Sequence, residues 1–325
     1  MLEHGGRLRL AAREYDISLE NWIDLSTGIN PDVYPVPPIA PQCWNRLPED
    51  NDGLEAAAAR FYNNERLIPL PGSQAAIQSL PALFPGIALA CIAPVYEEHP
   101  HAWENAGNPL LRLPSLPLLL AAKTPNILLC NPNNPTGQAF PRDEVIAAAE
   151  NLRKRNGWLI VDEAFADPEP ENTVVELAGS AEAPNLLVLR SLGKFFGLAG
   201  ARVGFLFGAQ EKLQGLREII GPWPLSHPSR FVAREALNDP VWQANARERL
   251  ADASRRLAAL LAPLGEVRRT ALFCSIATSR VAELYDHLAR RAILTRRFDH
   301  YGLLRVGLPG NESDWRRLAD SIAES

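Results

Sequence analysis

Several residue types and patterns are scarce in this chain, and each shortage excludes a class of function. Among 325 residues there are 4 cysteines, Cys43, Cys91, Cys130 and Cys274, and none of them forms a CxxC pair. A zinc ribbon or dithiol redox motif is therefore not indicated. Cys91 and Cys130 lie in apolar runs and read as core. Of the 6 histidines only His99 and His101 have ligand-like spacing. With no His-rich or carboxylate-rich motif beside them they read as polar loop residues, and no metal site is expected. The most apolar stretch, Leu110 to Ala122, is short for a membrane span and is broken by Pro114 and Pro117. Met1 to Asp16 meets charge at once and lacks the apolar segment of a secretory leader, so a soluble cytoplasmic protein is expected. Cationic surplus is missing too: 33 Lys and Arg stand among 38 Asp and Glu, for a net charge of −5. That balance leaves no footprint for nucleic acid or an anionic membrane. No internal repeat or low-complexity tract occurs.

What the chain does have is a substantial hydrophobic fraction, 46%, enough for a large core and two domains. From about residue 54 to 220, apolar runs of strand length alternate with amphipathic segments of helix length, the pattern of a mostly parallel sheet covered on both faces. The clearest strands are 87–92, 127–130, 158–161, 186–189 and 203–207, rich in Val, Ile and Leu as doubly buried strands are. A helix is predicted over 142–156, opening after Pro141 with acidic residues and closing on Arg153, Lys154, Arg155 and Gly157. Beyond Gly221-Pro222-Trp223-Pro224 the chain becomes one long Ala/Arg/Leu-rich helical stretch, 229–261, followed by β-like pieces at 272–277 and 303–306. The expected fold is α/β with a smaller α+β domain: residues 1–40 an N-terminal arm and linker belonging partly to the small domain, 41–222 the large domain, 223–325 the small one. Pro31 to Pro41 would be the link.

Parallel sheets bind ligands past the carboxyl ends of their strands. There the sequence places Asn131-Pro132-Asn133-Asn134-Pro135-Thr136-Gly137 after one strand, Asp162-Glu163-Ala164-Phe165 after the next, and Arg190-Ser191-Leu192-Gly193-Lys194 after a third. Three strand ends thus offer an amide, a carboxylate and an amine. Singly, each has an ordinary alternative: a turn for the NPTG segment, a cap for Asp162, a solvated charge for Lys194 and an ion pair for Arg202.

The ordered set Gly72-Ser73-Gln74, Asn134-Pro135-Thr136-Gly137, Asp162-Glu163-Ala164, Ser191-Leu192-Gly193-Lys194 and Arg202 closely resembles the fold-type I pyridoxal-phosphate (PLP) enzymes. Within them it is similar to the branch of histidinol-phosphate aminotransferases and threonine-phosphate decarboxylases. The resemblance implies a mostly parallel large-domain sheet flanked by helices, which binds the cofactor. It makes Lys194 the Schiff-base lysine, Asp162 the partner of the pyridine nitrogen and Asn134 a donor to the ring hydroxyl. Gly72, Ser73, Gln74, Ser191 and Arg202 would hold the cofactor phosphate, and Tyr96 would stack on the ring. Chemistry agrees with each role. A lysine nucleophile must be neutral part of the time, and a nearby cation such as Arg202 favours that. A carboxylate against the ring nitrogen keeps it protonated and able to accept electrons. Gly72-Ser73 opens a helical run over 74–84, whose N–H groups can cradle a phosphate.

Peripheral residues bear on the reaction, because the fold does not decide it. His4-Gly5-Gly6 and Leu25-Ser26-Thr27-Gly28-Ile29-Asn30-Pro31 are similar to the opening of threonine-phosphate decarboxylases of cobalamin biosynthesis, where the HGG segment helps bind substrate phosphate. His4, Gly5, Gly6 and Asn30 are accordingly expected at the substrate, with Arg305 gripping its carboxylate through a two-pronged donor. Arg296 and Arg297 are further candidates for the phosphate. Two positions depart from the related aminotransferases. Phe165 and Leu47 stand where tyrosines usually approach the ring hydroxyl and, from the neighbouring subunit, the cofactor phosphate. The resemblance therefore implies a homodimeric enzyme that decarboxylates L-threonine O-3-phosphate to (R)-1-amino-2-propanol O-phosphate and CO2. A histidinol-phosphate or related aminotransferase is the alternative. A binding or regulatory module on the same fold is a third reading, disfavoured by the intact Lys194 and Asp162.

Overall fold

The computed structural model describes residues 2–325. Thirteen strands occur among the described residues: β1 Ile23–Asp24, β2 Leu67–Leu70, β3 Leu89–Ile92, β4 Leu110–Leu113, β5 Asn126–Cys130, β6 Trp158–Asp162, β7 Leu186–Ser191, β8 Gly204–Phe207, β9 Glu266–Arg269, β10 Phe273–Ala277, β11 Ile293–Leu294, β12 Arg296–Phe298 and β13 Leu303–Gly307. The chain divides into two compact units: residues Tyr34–Asn134 with Ala139–Ala244, and the remainder, namely the segment up to Val33, Pro135–Gln138 and Asn245–Ser325.

The larger unit is built on a seven-stranded sheet of order β2-β8-β7-β6-β5-β3-β4. Strands β3 to β7 run parallel, and β8 is antiparallel to both β7 and β2. The apolar runs at 127–130, 158–161 and 186–189 appear with one or two more residues each, and those extra residues include Asp162 and Ser191. Val, Ile and Leu dominate because β5 and β7 are buried on both faces, the condition of a helix-covered parallel sheet. Edge strand β4 is only partly covered. Helix Arg142–Arg153 buries Val145, Ala148, Ala149 and Leu152, spaced at the helical period, and its acidic first turn and Arg153 in the last turn suit the helix dipole. A core cluster running from Ile68 through Leu80, Phe84 and Trp103 to Leu216 fills one side of the sheet. Each buried Leu or Phe there contributes roughly 1.5–3 kcal/mol of transfer free energy.

The smaller unit holds a four-stranded antiparallel sheet, β12-β13-β10-β9, and the short parallel pair β1-β11. Its edge strand β9 carries Glu266, Arg268 and Arg269, charges that discourage further strand pairing. β1 lies two residues before Ser26, so its pairing with β11 ties the start of the chain to a segment some 270 residues later.

Two helical expectations are corrected. The stretch 229–261 is not one helix but two, His227–Leu237 and Pro240–Leu261. Pro240 lacks an amide hydrogen and its ring excludes the preceding turn, so it opens the second helix instead of continuing the first. The run 74–84 likewise starts one residue earlier, at Ser73, and turns at Leu80 into the tighter helix Leu80–Leu83, where Pro81 cannot donate.

Candidate active site

The site residues of the larger unit sit at the carboxyl ends of adjacent strands. Cys130 pairs with Asp162 across β5 and β6, and Asp162 pairs with Leu189 across β6 and β7, two residues before Ser191. The loop after β5 is closed by Asn131, whose side chain accepts from the Phe140 amide at 2.9 Å and donates to its carbonyl at 3.1 Å. That closure presents Asn134 on the loop, and backbone groups of Asn134 and Tyr96 both reach the Cys130 thiol. Beyond β7, Ser191 Oγ accepts from the Gly193 amide at 3.3 Å, shaping the turn that carries Lys194. The Lys194 ammonium lies 5.1 Å from the centre of the buried Phe165 ring. Phe165 therefore presents an apolar face to the amine, with no hydroxyl, as its identity in the sequence implied.

Gly72 and Arg202 meet. Gly72 takes φ +76°, a conformation costly for side-chain-bearing residues, at the start of helix Ser73–Ser79. A Cβ there would lie 2.9 Å from the guanidinium carbon of Arg202. Arg202 itself is left-handed, at φ +53°, and exposed. The result is a cup made of a helix start and a guanidinium, both complementary to an anion. Gln74 is oriented by Glu98, whose carboxylate accepts from Gln74 Nε2 at 2.7 Å and Gln78 Nε2 at 2.9 Å. Tyr96 is half-buried, and its hydroxyl approaches Gln74 Oε1 at 3.5 Å.

Asp162 is 6% exposed. Its Oδ1 accepts from the Ala164 amide at 2.9 Å, and its Oδ2 stands 2.8 Å from His99 Nε2. His99 is the functional candidate that the sequence concealed. The loop reading of this residue is overturned: His99 is on helix Glu98–Asn105, 2% exposed. Its neighbours Glu97, Glu98 and His101 give the segment a surface-like composition, and only the tertiary fold turns His99 inward. His99, Cys130 and Asp162 offer donor atoms within 4.8 Å of one another. Burial, and secondarily the Asp162 charge, push the Cys130 thiol well up, and the histidine and aspartate are already hydrogen-bonded. The trio is thus a hydrogen-bonded cluster around a neutral thiol. A second group missed in the sequence lies behind it. Arg190, fully buried, pairs with Asp167 at 3.0 Å and Glu163 at 3.4 Å and donates to Thr173 at 2.9 Å. Burial of Glu163 raises its carboxyl despite Arg190 beside it. The alternation of β6 and β7 puts these groups on the face opposite Asp162 and Ser191, where they lock the two strand ends together.

In the smaller unit the expected substrate residues converge on Ser26. The Gly6 amide donates to Ser26 Oγ at 2.8 Å, and Arg305, 5% exposed, donates through Nη2 to the Ser26 carbonyl. Gly5 packs so closely that a Cβ would come within 2.5 Å of that carbonyl oxygen. The HGG arm therefore needs glycine to lie where it does, and it carries His4, which is exposed, next to the glycines packed on Ser26, whose carbonyl accepts from Arg305. Asn30 is buried and caps a local turn through the Asp32 amide at 3.0 Å. A cavity of about 200 Å³ opens among Glu3, His4, Arg7, Thr295, Arg296 and Arg297. Arg296 there holds the Glu3 carbonyl at 2.8 Å.

A sheet of this order, with an amine, a carboxylate and an anion cup at its carboxyl edge, defines a class. The chain belongs to the family described as aminotransferase class I and II, which matches residues 45–322. Within it, two relatives match at nearly full length, and both are threonine-phosphate decarboxylases. One, from Pseudomonas aeruginosa, is 50% identical over 98% of this chain and 96% of its own. The other, from Sinorhizobium, is 38% identical over 98% and 97%. The fold is also that of histidinol-phosphate aminotransferase from Sinorhizobium meliloti, solved in complex with pyridoxal-5'-phosphate, at a TM-score of 0.85, 20% identity and 99% and 95% coverage.

Proposed function

We propose that this protein decarboxylates L-threonine O-3-phosphate to (R)-1-amino-2-propanol O-phosphate and CO2, using pyridoxal phosphate held by its larger unit. The observation that carries the reading is the 50% identity, across the whole chain, to a threonine-phosphate decarboxylase. The residues present fit the cofactor: a glycine whose missing side chain leaves room for a guanidinium, a carboxylate held ready by two donors, and a lysine over an apolar ring.

When bound, pyridoxal phosphate supplies an electron sink for the charge left on the substrate α-carbon as CO2 departs. Lys194 would hold the cofactor covalently through its Nζ, and its amine, when free, would be the acid that delivers a proton to the substrate α-carbon. Asp162 keeps a proton on the ring nitrogen. Asn134 donates to the ring hydroxyl, Tyr96 covers the ring, and Gly72, Ser73, Gln74, Ser191 and Arg202 bind the phosphate. Arg305 grips the substrate carboxylate, His4 on its glycine-built arm meets the substrate phosphate, and Asn30 shapes that segment. The same reading implies a homodimer.

Carboxyl-labelled O-phosphothreonine tests the reaction. The expected outcome is release of labelled CO2 without any requirement for 2-oxoglutarate, and its loss in Lys194→Ala. Amino transfer dependent on a keto acid, with the carboxyl label retained, would establish an aminotransferase instead.

A further inference from the structure

The expected substrate residues of the smaller unit meet at Ser26, and a residue two positions earlier sets its side chain. Ser26 is 1% exposed, and the backbone beside it is held on two sides. The Leu25 amide donates to the Leu294 carbonyl at 2.8 Å, and the Leu25 carbonyl accepts from the Gly307 amide at 2.7 Å. A single carboxylate oxygen, Asp24 Oδ1, accepts from both the Ser26 amide at 2.9 Å and the Ser26 hydroxyl at 2.6 Å. A hydroxyl carries one hydrogen. With that hydrogen directed at Asp24, the lone pairs of Oγ are left for the Gly6 amide, which donates to it at 2.8 Å. The carbonyl of the same residue accepts from Arg305 Nη2. Asp24 thus heads a chain of hydrogen bonds that ends on the glycine arm carrying His4, and the residue it orients also holds Arg305.

We infer that Asp24 is a positioning residue for substrate recognition: through Ser26 it fixes where the His4-Gly5-Gly6 arm lies relative to Arg305. Without the carboxylate the Ser26 hydroxyl is free to rotate, and orientations that aim its hydrogen at the Gly6 N–H set donor against donor. Gly6 is exposed, so this hydrogen bond, and not burial, is what holds its amide. The effect of Asp24 is to make the phosphate contact of His4 and the carboxylate grip of Arg305 parts of one rigid piece, which reduces the ordering that binding would otherwise require. The inference rests on the reading above that this arm and Arg305 meet the substrate.

Two measurements on the holoenzyme test it. Hydrogen exchange at the Gly6 amide, followed by mass spectrometry, needs no substrate. Exchange about tenfold faster is expected in Asp24→Ala and in Ser26→Ala, where one hydrogen bond is weakened or lost. Asp24→Asn, whose side-chain oxygen can accept both Ser26 bonds, is expected to exchange like wild type. In turnover of O-phosphothreonine, Asp24→Ala is expected to raise KM about tenfold, with kcat within about twofold of wild type and the absorption spectrum of the bound cofactor unchanged. Asp24→Asn is expected to restore KM. Because the two residues act along one path, combining Asp24→Ala with Ser26→Ala is expected to raise KM no further than the larger single change. Unchanged Gly6 exchange in Asp24→Ala, KM effects that multiply in the double variant, no rescue by asparagine, or a fall in kcat with a shifted cofactor spectrum would each overturn the inference. Should Asp24→Ala fail to fold, Asp24→Glu, which keeps the charge but displaces the acceptor, takes its place with the same expected directions. Wild-type protein that releases no CO2 would sink the proposed reaction instead, and Gly6 exchange alone then decides this inference.

Discussion

Gly72 shows how one missing side chain can make a binding site. The space that a Cβ would fill is occupied by the guanidinium of Arg202, and the positive φ of Gly72 excludes most other residues at low cost. In Gly72→Ala the far end of Arg202 can swing away, but the left-handed strain of about 1 kcal/mol remains and the cup loses its cation. A small loss of thermal stability is expected together with roughly tenfold weaker PLP binding, since a charge-assisted contact is lost. Unchanged affinity by fluorescence titration would show that Arg202 does not serve the phosphate. The HGG arm follows the same rule. Gly5 is legible as part of a motif, but only the 2.5 Å approach to Ser26 explains why a glycine stands there.

Within the larger unit, helix His227–Leu237 is fastened by Arg230, which reaches two carboxylates: Asp52 at 2.7 Å and Glu55 at 2.7 Å. Burial alone would raise the Asp52 carboxyl, but hydrogen bonds from Arg230 and the Leu54 amide more than offset it and hold it below its ordinary value. A depressed carboxylate adds stability that is present above its unfolded value, about 3.9, and is lost as pH falls through the lower folded value. Arg230→Met should therefore cost about 3 kcal/mol at pH 7, where two carboxylates lose their partner. The deficit should shrink below pH ~4, as Asp52 protonates first in the unfolded chain and in the variant and only at lower pH in folded wild type. Urea unfolding at pH 7 and pH 3.5 checks this; an identical deficit at both would mean that the arginine acts by packing alone. The break at Pro240 is written locally, in Asn238-Asp239-Pro240, but this anchor is not visible in periodicity, because the partners of Arg230 lie 175 and more positions away.

Across the whole chain, burial sorts the cysteines. Cys91, Cys130 and Cys274 are buried, and desolvation pushes the thiols of Cys91 and Cys274 up to about 12 and that of Cys130 well above its ordinary value. Cys43 is half-exposed. A thiol reagent at pH 8 should label one cysteine in native protein and all 4 after denaturation. Labelling of Cys130 in the folded protein would contradict the sealed cluster around Asp162. The alternation of strand and helix, the polar residues just past each apolar run, and the ordered motifs from Gly72 to Arg202 are all carried by near neighbours in the chain. They were readable in sequence because periodicity and turn chemistry act over a few residues. The tertiary structure decided what spans distance: that β5, β6 and β7 lie side by side, that Arg190 buries its charge behind Asp162, that the HGG arm and Arg305 share Ser26, and that a histidine in a surface-like segment meets Asp162. Such contacts join positions 20 to 279 residues apart, and only the packing of the sheets and their helices brings those side chains within hydrogen-bond reach.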